Sequence, residues 1–325
     1  MDFTLTDEQD QLVRTARSML AKECPSSLVR AAAEDRSAAD GLWRHLLDWR
    51  GLADAPLVDL CLFLEETGAV LAPGPFLVTT ALFQPLVRAG GVELDEDAVG
   101  TAALAGADGE WTVGADGVRT FVLEADVVDH VAVVIPGPAV LVTDRLPAQE
   151  VATLDASRRV FEVAVPEGLD GAVALAPEAL TGVLERGYVA LAAEMVGTAQ
   201  WMLDATVEHA KARVQFDRPI GSFQAVQHKL ADMALALERA RGAVYYAAMA
   251  LDAEDPDRHR AAHVAKAAAG EAARRCAKDG IQLHGGIGYT WEHDLHLHIR
   301  RAYASEHLLG TSAWHHDRLA DLLFA

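Results

Sequence analysis

Residues Arg213–Met233 have the sequence RVQFDRPIGSFQAVQHKLADM, and this stretch decides the fold because it holds a helix end, a turn and a new helix. Asp217, Pro219 and Gly221 break the helical pattern, and Ser222 can cap the helix that follows. Beyond the turn, apolar side chains recur at helical spacing with polar residues on the other faces. The stretch therefore predicts two helices joined by a polar turn.

A second stretch, Gln282–Asp294 with the sequence QLHGGIGYTWEHD, opens at the predicted end of a later helix. Gly285, Gly286 and Gly288 stand where the backbone must approach another group closely or adopt a positive φ. Such a loop can hold an anion on its N–H groups, or it can simply turn a corner.

Together the two stretches resemble the C-terminal helical domain of the acyl-CoA dehydrogenases, flavoenzymes that desaturate an acyl thioester between its α and β carbons. The resemblance rests on an R-x-x-F turn, an S-F-Q-A-x-x-H-x-L-A-D-M helix and a Q-x-H-G-G-x-G-Y loop, in that order. It covers residues 180–323 well, the N-terminal helices moderately and the middle of the chain poorly. The alternative is an unrelated helical bundle.

Composition limits the possible functions. The chain has 325 residues, 51% of them apolar, and its formal net charge of −20 argues against a nucleic-acid partner, because phosphate contacts need a basic surface. No apolar run approaches the ~20 residues of a membrane span, and the N-terminus is acidic where a signal peptide is basic. We expect a soluble, cytoplasmic protein. Three cysteines, expected to be small buried hydrophobes, are Cys24, Cys61 and Cys276.

Residues 1–89 are predicted to form a helical N-terminal domain that is short for the family. Thr6–Gln9 has the form of a capping box, which begins an amphipathic helix over about residues 6–22. Cys24–Pro25 ends this helix. Further helices are expected over about residues 41–49 and 57–71, and a fourth to about residue 87.

Residues 90–176 alternate between runs rich in Val and Thr and turns rich in Gly, Pro and Asp, which is typical of a small β-barrel or sandwich. Leu154–Arg159 resembles the T-L-D-x-T-R run near the end of the family's β-domain. The expected strands are Gly100–Leu104, Trp111–Val113, Thr120–Leu123, Asp129–Ile135, Ala139–Thr143 and Arg159–Val165.

Residues 177–325 return to helical patterns and are predicted to form a C-terminal four-helix bundle, which in the family is also the core of the tetramer. The expected fold class is therefore α+β, of the acyl-CoA dehydrogenase type. The four helices are expected over about residues 180–212, 223–253, 258–283 and 314–323.

The resemblance implies a FAD cofactor across a subunit interface, its adenosine diphosphate half held by the R-x-x-F turn and the Gly-rich loop. Arg can pair with a diphosphate, glycine N–H groups can approach it, and Phe can flank an adenine. Asp217 replaces a glycine that is common in the family, so Arg213 or Arg218 must neutralise it. The cofactor residues implied are Arg213, Phe216, Gln224, Gln282, Gly285 and Gly286.

The half of the site that would hold the flavin ring matches the family poorly. The family supplies Thr and Ser hydroxyls to the ring from a segment that here is Thr101–Asp108, TAALAGAD, which lacks those hydroxyls. Only Phe121 is available as the aromatic residue that the family places beside the ring.

Desaturation needs a carboxylate base for the α-proton, and the resemblance implies two places for it. One is the residue before Gly310, which is Leu309, and the other falls at about Gly187. Neither side chain accepts a proton, so no catalytic residue is expected in this chain. Glu306 and Glu185 lie nearby and are the remaining candidates, although such residues are more often ion-paired on helices.

The histidines between His293 and His316 are expected to serve packing and interfaces. A metal site is not expected, because the adjacent His315 and His316 cannot both face one ion from a helix.

Three functions fit these features. In the first, the chain is a half-site subunit of a heteromeric α2β2 acyl-CoA dehydrogenase, of the kind known in actinobacteria for sterol side chains and other bulky acyl-CoAs. A homologous partner chain would then supply the flavin ring site and the base. In the second, the chain is a self-contained homo-oligomer with an unusual base. In the third, it is a structural or regulatory partner with no flavin contact. By resemblance, the electron acceptor is an electron-transfer flavoprotein.

Overall fold

The computed structural model describes residues 4–95, 97–106, 117–165, 168 and 170–324. It begins with helices, continues with small sheets and ends with long helices, in the predicted order. The N-terminal helices are α1 (Asp7–Glu23), α2 (Ser26–Glu34), α3 (Asp40–Leu47), α4 (Leu57–Val70), α5 (Phe76–Val78) and α6 (Gln84–Ala89), with a π-helical turn (Thr79–Phe83) between the last two.

The capping box at the start of α1 is confirmed. The Gln9 backbone N–H donates to the Thr6 hydroxyl at 3.2 Å, and the Thr6 N–H donates to the Gln9 side-chain oxygen at 3.1 Å. The sequence pattern does not predict helix α2, because Cys24–Pro25 indicates only the end of α1. Pro25 is in fact the N-cap of α2, where proline costs no helical hydrogen bond. All three cysteines are buried and free, as predicted.

The β-region consists of two sheets that enclose an apolar core. One sheet has the order β1-β3-β4-β7, in which β1 pairs parallel to β3 and the other pairs are antiparallel; the other sheet is antiparallel with the order β2-β6-β5. Of the expected strands, Trp111–Val113 lies outside the described residues, and β5 and β7 were not predicted. The strands are β1 (Gly100–Ala103), β2 (Val118–Leu123), β3 (His130–Ile135), β4 (Ala139–Asp144), β5 (Ala148–Val151), β6 (Val160–Ala164) and β7 (Val173–Ala174).

The C-terminal region contains one helix more than predicted. Helices α7, α8 and α9 pack against one another, and the shorter α10 and α11 lie against α9. No helix among the described residues is both long and apolar enough to cross a lipid bilayer. The helices are α7 (Pro177–Ala212), α8 (Gln224–Asp252), α9 (Arg258–His284), α10 (Leu295–His307) and α11 (Ser312–Phe324).

The sequence pattern does not predict helix α10, because the face that this helix buries is largely polar. An apolar stripe is the pattern by which a helix is recognised in a sequence, and α10 presents histidines and charged groups to the interior instead. Its buried polar residues are His296, His298, Arg301, Ser305 and Glu306.

A buried network of four charges connects the β-region to the helices. Arg301 of α10 pairs with Asp155, which follows the β5 strand, and with Glu194 of α7 at 3.4 Å. Arg158 also pairs with Glu194, at 2.6 Å. Burial opposes ionisation of Asp155, but Arg301, Ser157 and Arg158 together outweigh this effect, and the pKa of Asp155 lies below its usual range. Two cations therefore balance two anions at this junction, and each charge keeps a partner.

Helices α4 and α7 cross at two glycines. A Cβ atom added to Gly68 of α4 would collide with the backbone carbonyl of Glu194, and one added to Gly197 of α7 would collide with that of Glu65. At each glycine the backbone of the opposite helix occupies the space that a Cβ atom would need. The two helices can therefore approach this closely only because both positions are glycine. This crossing fixes the N-terminal helices on the bundle.

We predict that Gly197→Ala lowers the free energy of unfolding by about 3 kcal/mol or more, because its methyl group overlaps the α4 backbone. Gly182→Ala on the same helix is the control: no atom lies within 4 Å of its added Cβ, so it should be neutral or stabilising by roughly 0.5–1 kcal/mol. Chemical denaturation of both variants measures the difference. Equal stabilities would show that the crossing tolerates a side chain.

Candidate functional site

Arg213 stands at the end of α7, where it begins a tight turn. Two short strands, β8 (Val214–Gln215) and β9 (Arg218–Pro219), form a hairpin, and the Ile220 N–H closes it by donating to the Arg213 carbonyl at 2.8 Å. The two residues at its tip, Phe216 and Asp217, have φ values of 54° and 62°, a conformation that favours Gly or Asn. The backbone at the tip is therefore strained, and Phe216 is 86% exposed.

The prediction that Ser222 caps α8 is wrong. Phe223 occupies the N-cap position without a side-chain hydrogen bond, and the Ser222 hydroxyl donates back to the Pro219 carbonyl at 2.8 Å. A 3₁₀ turn over Ile220–Ser222 causes this, because it directs the hydroxyl toward the preceding turn. Gln224 is consequently the first residue of the helix.

The Gly-rich loop begins where α9 ends. Gly285 has a φ of +63° and terminates the helix, and no atom lies within 4 Å of a Cβ added to Gly285 or to Gly286. The Gly285 N–H donates to the Ile281 carbonyl, while Gly285 and Gly286 themselves are exposed, so a ligand can approach the backbone here closely. Beyond it, Tyr289 and Trp291 are 75% and 67% exposed.

The fold brings the two motifs to the same end of the bundle. The ring of His209, one turn before Arg213, stacks on that of His284, which precedes Gly285, with 4.4 Å between ring centroids. Lys229 of α8 pairs with Asp279 of α9 and holds the start of α8 against the end of α9. The turn and the loop therefore border one surface.

The polar residues of this surface are available for a ligand. Within the described part of the chain, the side chains of Arg213, Gln224 and Gln282 are exposed and have no hydrogen bond or ion pair. Arg218 lies over the Phe223 ring, 4.1 Å from its centroid, so it does not neutralise Asp217 by a direct pair. A cation, two amides and an exposed glycine backbone fit the diphosphate half of FAD.

The two family positions for the base also meet in space. A Cβ added to Gly187 would lie 3.3 Å from Cδ1 of Leu309 and would collide with Leu82. Leu309 is 5% exposed and Leu82 3%. The two positions at which the resemblance implies a carboxylate therefore lie together and are filled by hydrocarbon in this chain.

Glu306, one of the two candidate bases, is fully engaged inside the protein. Its carboxylate accepts from the N–H of Ser312 at 3.0 Å and from the Ser312 hydroxyl at 3.1 Å, at the start of α11. It also packs against Gly270, where an added Cβ would overlap it. This carboxylate caps a helix and binds the α10–α11 loop.

Glu185, the other candidate, is 2% exposed and lies at a cavity of about 390 Å³ between α7, α8 and α9. One carboxylate oxygen is 2.5 Å from Nδ1 of His259, and among the described residues the other has no partner. Burial raises the pKa of Glu185, while His259 opposes this effect. Its neighbours differ from those of Gly187, which faces Leu82 and Leu309.

Phe121, the residue expected beside the flavin ring, borders a cleft of about 340 Å³ between the β-region and α10. It lies at a β-bulge with a φ of 53°. Val160, Tyr303 and Leu308 contribute further apolar surface to the cleft. The Thr101 hydroxyl donates to the Leu123 carbonyl at 2.6 Å and is engaged within the protein; residues 107–108 of the same segment lie outside the described residues.

Two buried residues support the α10–α11 loop: Lys266, which sequence analysis did not single out, and His315, which it expected to serve packing. The Lys266 ammonium donates to the Gly310 carbonyl at 2.8 Å, and His315 Nε2–H donates to the Leu309 carbonyl at 2.9 Å. Lys266 lies in an Ala-rich run, where a single lysine is typical of a solvated helix face. His263 and His315 approach each other through their Nδ1 atoms at 2.7 Å. Among the described residues, no group of three or more His, Cys, Asp or Glu could hold a metal ion.

Comparison with known proteins agrees with this geometry. The family model for the acyl-CoA dehydrogenase C-terminal domain matches residues 178–324. Acyl-CoA dehydrogenase IpdE2 of Mycobacterium tuberculosis is 37% identical over 319 residues, which are 94% of each chain. The chain belongs to the acyl-CoA dehydrogenase family. Members of this family are oxidoreductases.

Solved structures of the family show the same fold. A chain of the ChsE4-ChsE5 complex from Mycobacterium tuberculosis gives a TM-score of 0.86 over 99% of both chains, with 26% identity. A variant of the Tcur3481-Tcur3483 steroid ACAD gives 0.81 over 98% of both chains, with 28% identity. Butyryl-CoA dehydrogenase from Megasphaera elsdenii gives 0.86 at 21% identity. The predicted acyl-CoA dehydrogenase fold is confirmed.

Because burial lowers the pKa of His315 to about 2, we predict an acid-sensitive support for the loop. Since this value lies below that of the unfolded chain, near 6.5, unfolding takes up a proton and becomes easier as the pH falls below 6.5. His315 alone should cost on the order of 1 kcal/mol of stability between pH 7.5 and 5.5.

The readout is the change in unfolding free energy between these pH values in His315→Gln, which should be smaller than in the parent by on the order of 1 kcal/mol. His45→Gln is the control, because its side chain is 47% exposed. An undiminished change in His315→Gln would contradict the prediction.

Proposed function

We propose that this chain is a subunit of a heteromeric, FAD-dependent acyl-CoA dehydrogenase, in which a homologous partner chain holds the flavin ring and supplies the base. The proposal rests on the difference between two sites in this chain, the surface for the diphosphate and the position of the base. The surface suited to a diphosphate is exposed and has unengaged donors, whereas the position of the base is filled by Leu82, Leu309 and the bare backbone of Gly187.

FAD supplies the hydride acceptor for the desaturation, and the residues of this chain bind and orient its adenosine diphosphate half. Arg213 pairs with the diphosphate, and the exposed backbone of Gly285 and Gly286, which carries no side chain, lets the diphosphate approach the loop closely. Phe216 flanks the adenine, and the amides of Gln224 and Gln282 bind sugar or phosphate oxygens. The exposure of all six residues in the single chain suits a ligand that lies between two subunits.

The solved relatives support a partner of the same family. The ChsE4-ChsE5 structure is a complex of two different proteins, and the Tcur3481-Tcur3483 protein carries two names and is called a steroid ACAD. We infer a homologous dehydrogenase subunit as the partner, an acyl-CoA with a bulky, sterol-type acyl group as the substrate, and an electron-transfer flavoprotein as the electron acceptor.

Arg213→Ala in the co-purified complex should weaken FAD binding roughly 10- to 100-fold, because a charged hydrogen bond to the diphosphate contributes about 1.5–3 kcal/mol. Flavin absorbance per complex after dialysis measures the loss. Arg260→Ala, at an exposed i,i+3 pair with Asp257 at the other end of α9, is the matched control.

Unchanged flavin content in Arg213→Ala would refute the shared site. A partner chain that retains as much flavin alone as in the complex would favour a purely structural or regulatory role for this chain.

A second candidate function, a self-contained flavoenzyme with an unusual base, is favoured by one observation. Glu185 is buried beside a cavity with a raised pKa and one unpartnered oxygen, features that are common in catalytic carboxylates. Glu306 offers no such feature, since Ser312 occupies both of its oxygens.

We expect Glu185→Gln and Glu306→Gln complexes to keep turnover within about threefold of the parent, because the partner supplies the base. A fall of about 100-fold or more in Glu185→Gln, with flavin content and melting temperature preserved, would assign the base to this chain. Steady-state turnover of each complex is measured with a sterol-type acyl-CoA. The Glu→Gln variant of the partner's proposed base shows how far turnover falls when the base is removed.

A further inference from the structure

Three imidazole rings lie in contact beneath the surface proposed for the diphosphate. His209 of α7 stacks on His284 of α9 with an interplanar angle of 23°, and His293 of the following loop meets His284 edge-on with 4.8 Å between centroids. We call these three residues the histidine cluster. His284 is the residue before Gly285, and His209 lies one helical turn before Arg213. The cluster therefore supports both motifs from within.

The hydrogen bonds define the protonation of two of these rings. His284 Nδ1–H donates to the Gly280 carbonyl at 2.8 Å, which leaves Nε2 as the bare nitrogen. That Nε2 is buried and has no partner among the described residues. His293 Nδ1 accepts from the Leu295 N–H at 3.1 Å, so its proton is on Nε2. The cluster thus contains an orphaned basic nitrogen next to the loop.

Few charges other than the cluster itself act on these rings. Burial lowers the pKa of His284 to about 4, the neighbouring His209 and His293 add to this effect, and the Gly280 carbonyl opposes it. Burial also lowers the pKa of His209, with contributions from His293 and from Arg213. From α8 the nearby cation is Lys229, which is paired with Asp279. Without a ligand, His284 and His209 are therefore neutral at pH 7.

An anion beside the loop changes the protonation equilibrium of these imidazole rings. A doubly charged group within a few ångströms favours the protonated form of an imidazole by roughly one to three pKa units. Two stacked rings can share only one added charge, because a second proton would repel the first at 4.4 Å.

We propose that the histidine cluster is a proton-accepting part of the diphosphate site, so that FAD binding is accompanied by partial uptake of one proton from solvent onto His284 Nε2 or its stacked neighbour. This inference rests on the proposed function, because it takes the diphosphate to lie at the Arg213 turn and the Gly285 loop. By linkage, FAD then binds more tightly as the pH falls from 8 to 6.

The test uses the flavin-depleted complex of this chain with its partner, and FAD as the probe. The Kd from flavin fluorescence should be roughly three- to tenfold lower at pH 6.0 than at pH 8.0. FAD itself has no group that titrates in this range. Calorimetry in two buffers of different ionisation enthalpy should show net proton uptake at pH 7.

His284→Asn isolates the cluster, because the asparagine amide can still donate to the Gly280 carbonyl but cannot take up a proton. We expect this variant to lose most of the pH dependence and the proton uptake. His209→Asn should reduce both as well, and it serves as the second variant if His284→Asn does not assemble. His45→Gln, on α3, is the control and should behave as the parent.

The outcomes separate this inference from the proposed function. If Arg213→Ala weakens FAD at both pH values while His284→Asn and His209→Asn keep the parent's pH dependence, the histidine cluster has no such role and the site stands. If neither Arg213→Ala nor the histidine variants change FAD binding, the site itself is wrong. A parent complex without proton uptake also overturns the inference.

Discussion

The buried pairing of Arg301 and Arg158 with Asp155 and Glu194 is the interaction on which the arrangement of this molecule depends. It joins the segment between β5 and β6 to α7 and α10, and all four charged groups are almost completely buried. Removing one member would leave an uncompensated charge in the interior, which typically costs 3–5 kcal/mol. The β-region is therefore held at a defined place on the bundle, and Arg158 of this network also lines the cleft beside Phe121.

Two regions of the C-terminal helices differ in this chain. Where α7, α8 and α9 meet, exposed side-chain donors are unengaged and can bind a ligand or a subunit. At the α10–α11 loop, the carbonyls of Gly310 and Leu309 and the Ser312 N–H are satisfied internally, by Lys266, His315 and Glu306. These buried groups need no ligand. The difference is the physical basis for the proposal that this chain binds the cofactor and does not supply the base.

Most of the helical framework could be predicted from the sequence, because apolar stripes and capping residues are local signals. The capping box at Thr6 and the long helices α7, α8 and α9 are examples. Helix α10 could not be predicted in this way, because its inward residues pair with groups more than a hundred positions away. The prediction that Ser222 caps α8 was wrong for a related reason. The residue type suits an N-cap, but the sequence does not show that a 3₁₀ turn directs the hydroxyl elsewhere.

The candidate site was predictable only in part. Motifs located the exposed surface that we propose for the diphosphate, since Arg213 and Gly285 belong to continuous stretches of sequence. The contact of Leu82 with the Gly187 position was not predictable, because it forms only after separate elements have packed. The same holds for Lys266, whose partner is the Gly310 carbonyl on a loop distant in sequence.

The packing of Leu82 has an evolutionary consequence. Replacing Leu309 by glutamate would place a carboxylate against a leucine side chain and the bare helix of Gly187, where no donor awaits it. Under the proposed function, a single substitution at Leu309 would therefore not give this chain a working base, because Leu82 fills the adjoining space. The proposed dependence on a partner chain would then persist because one mutation cannot reverse it.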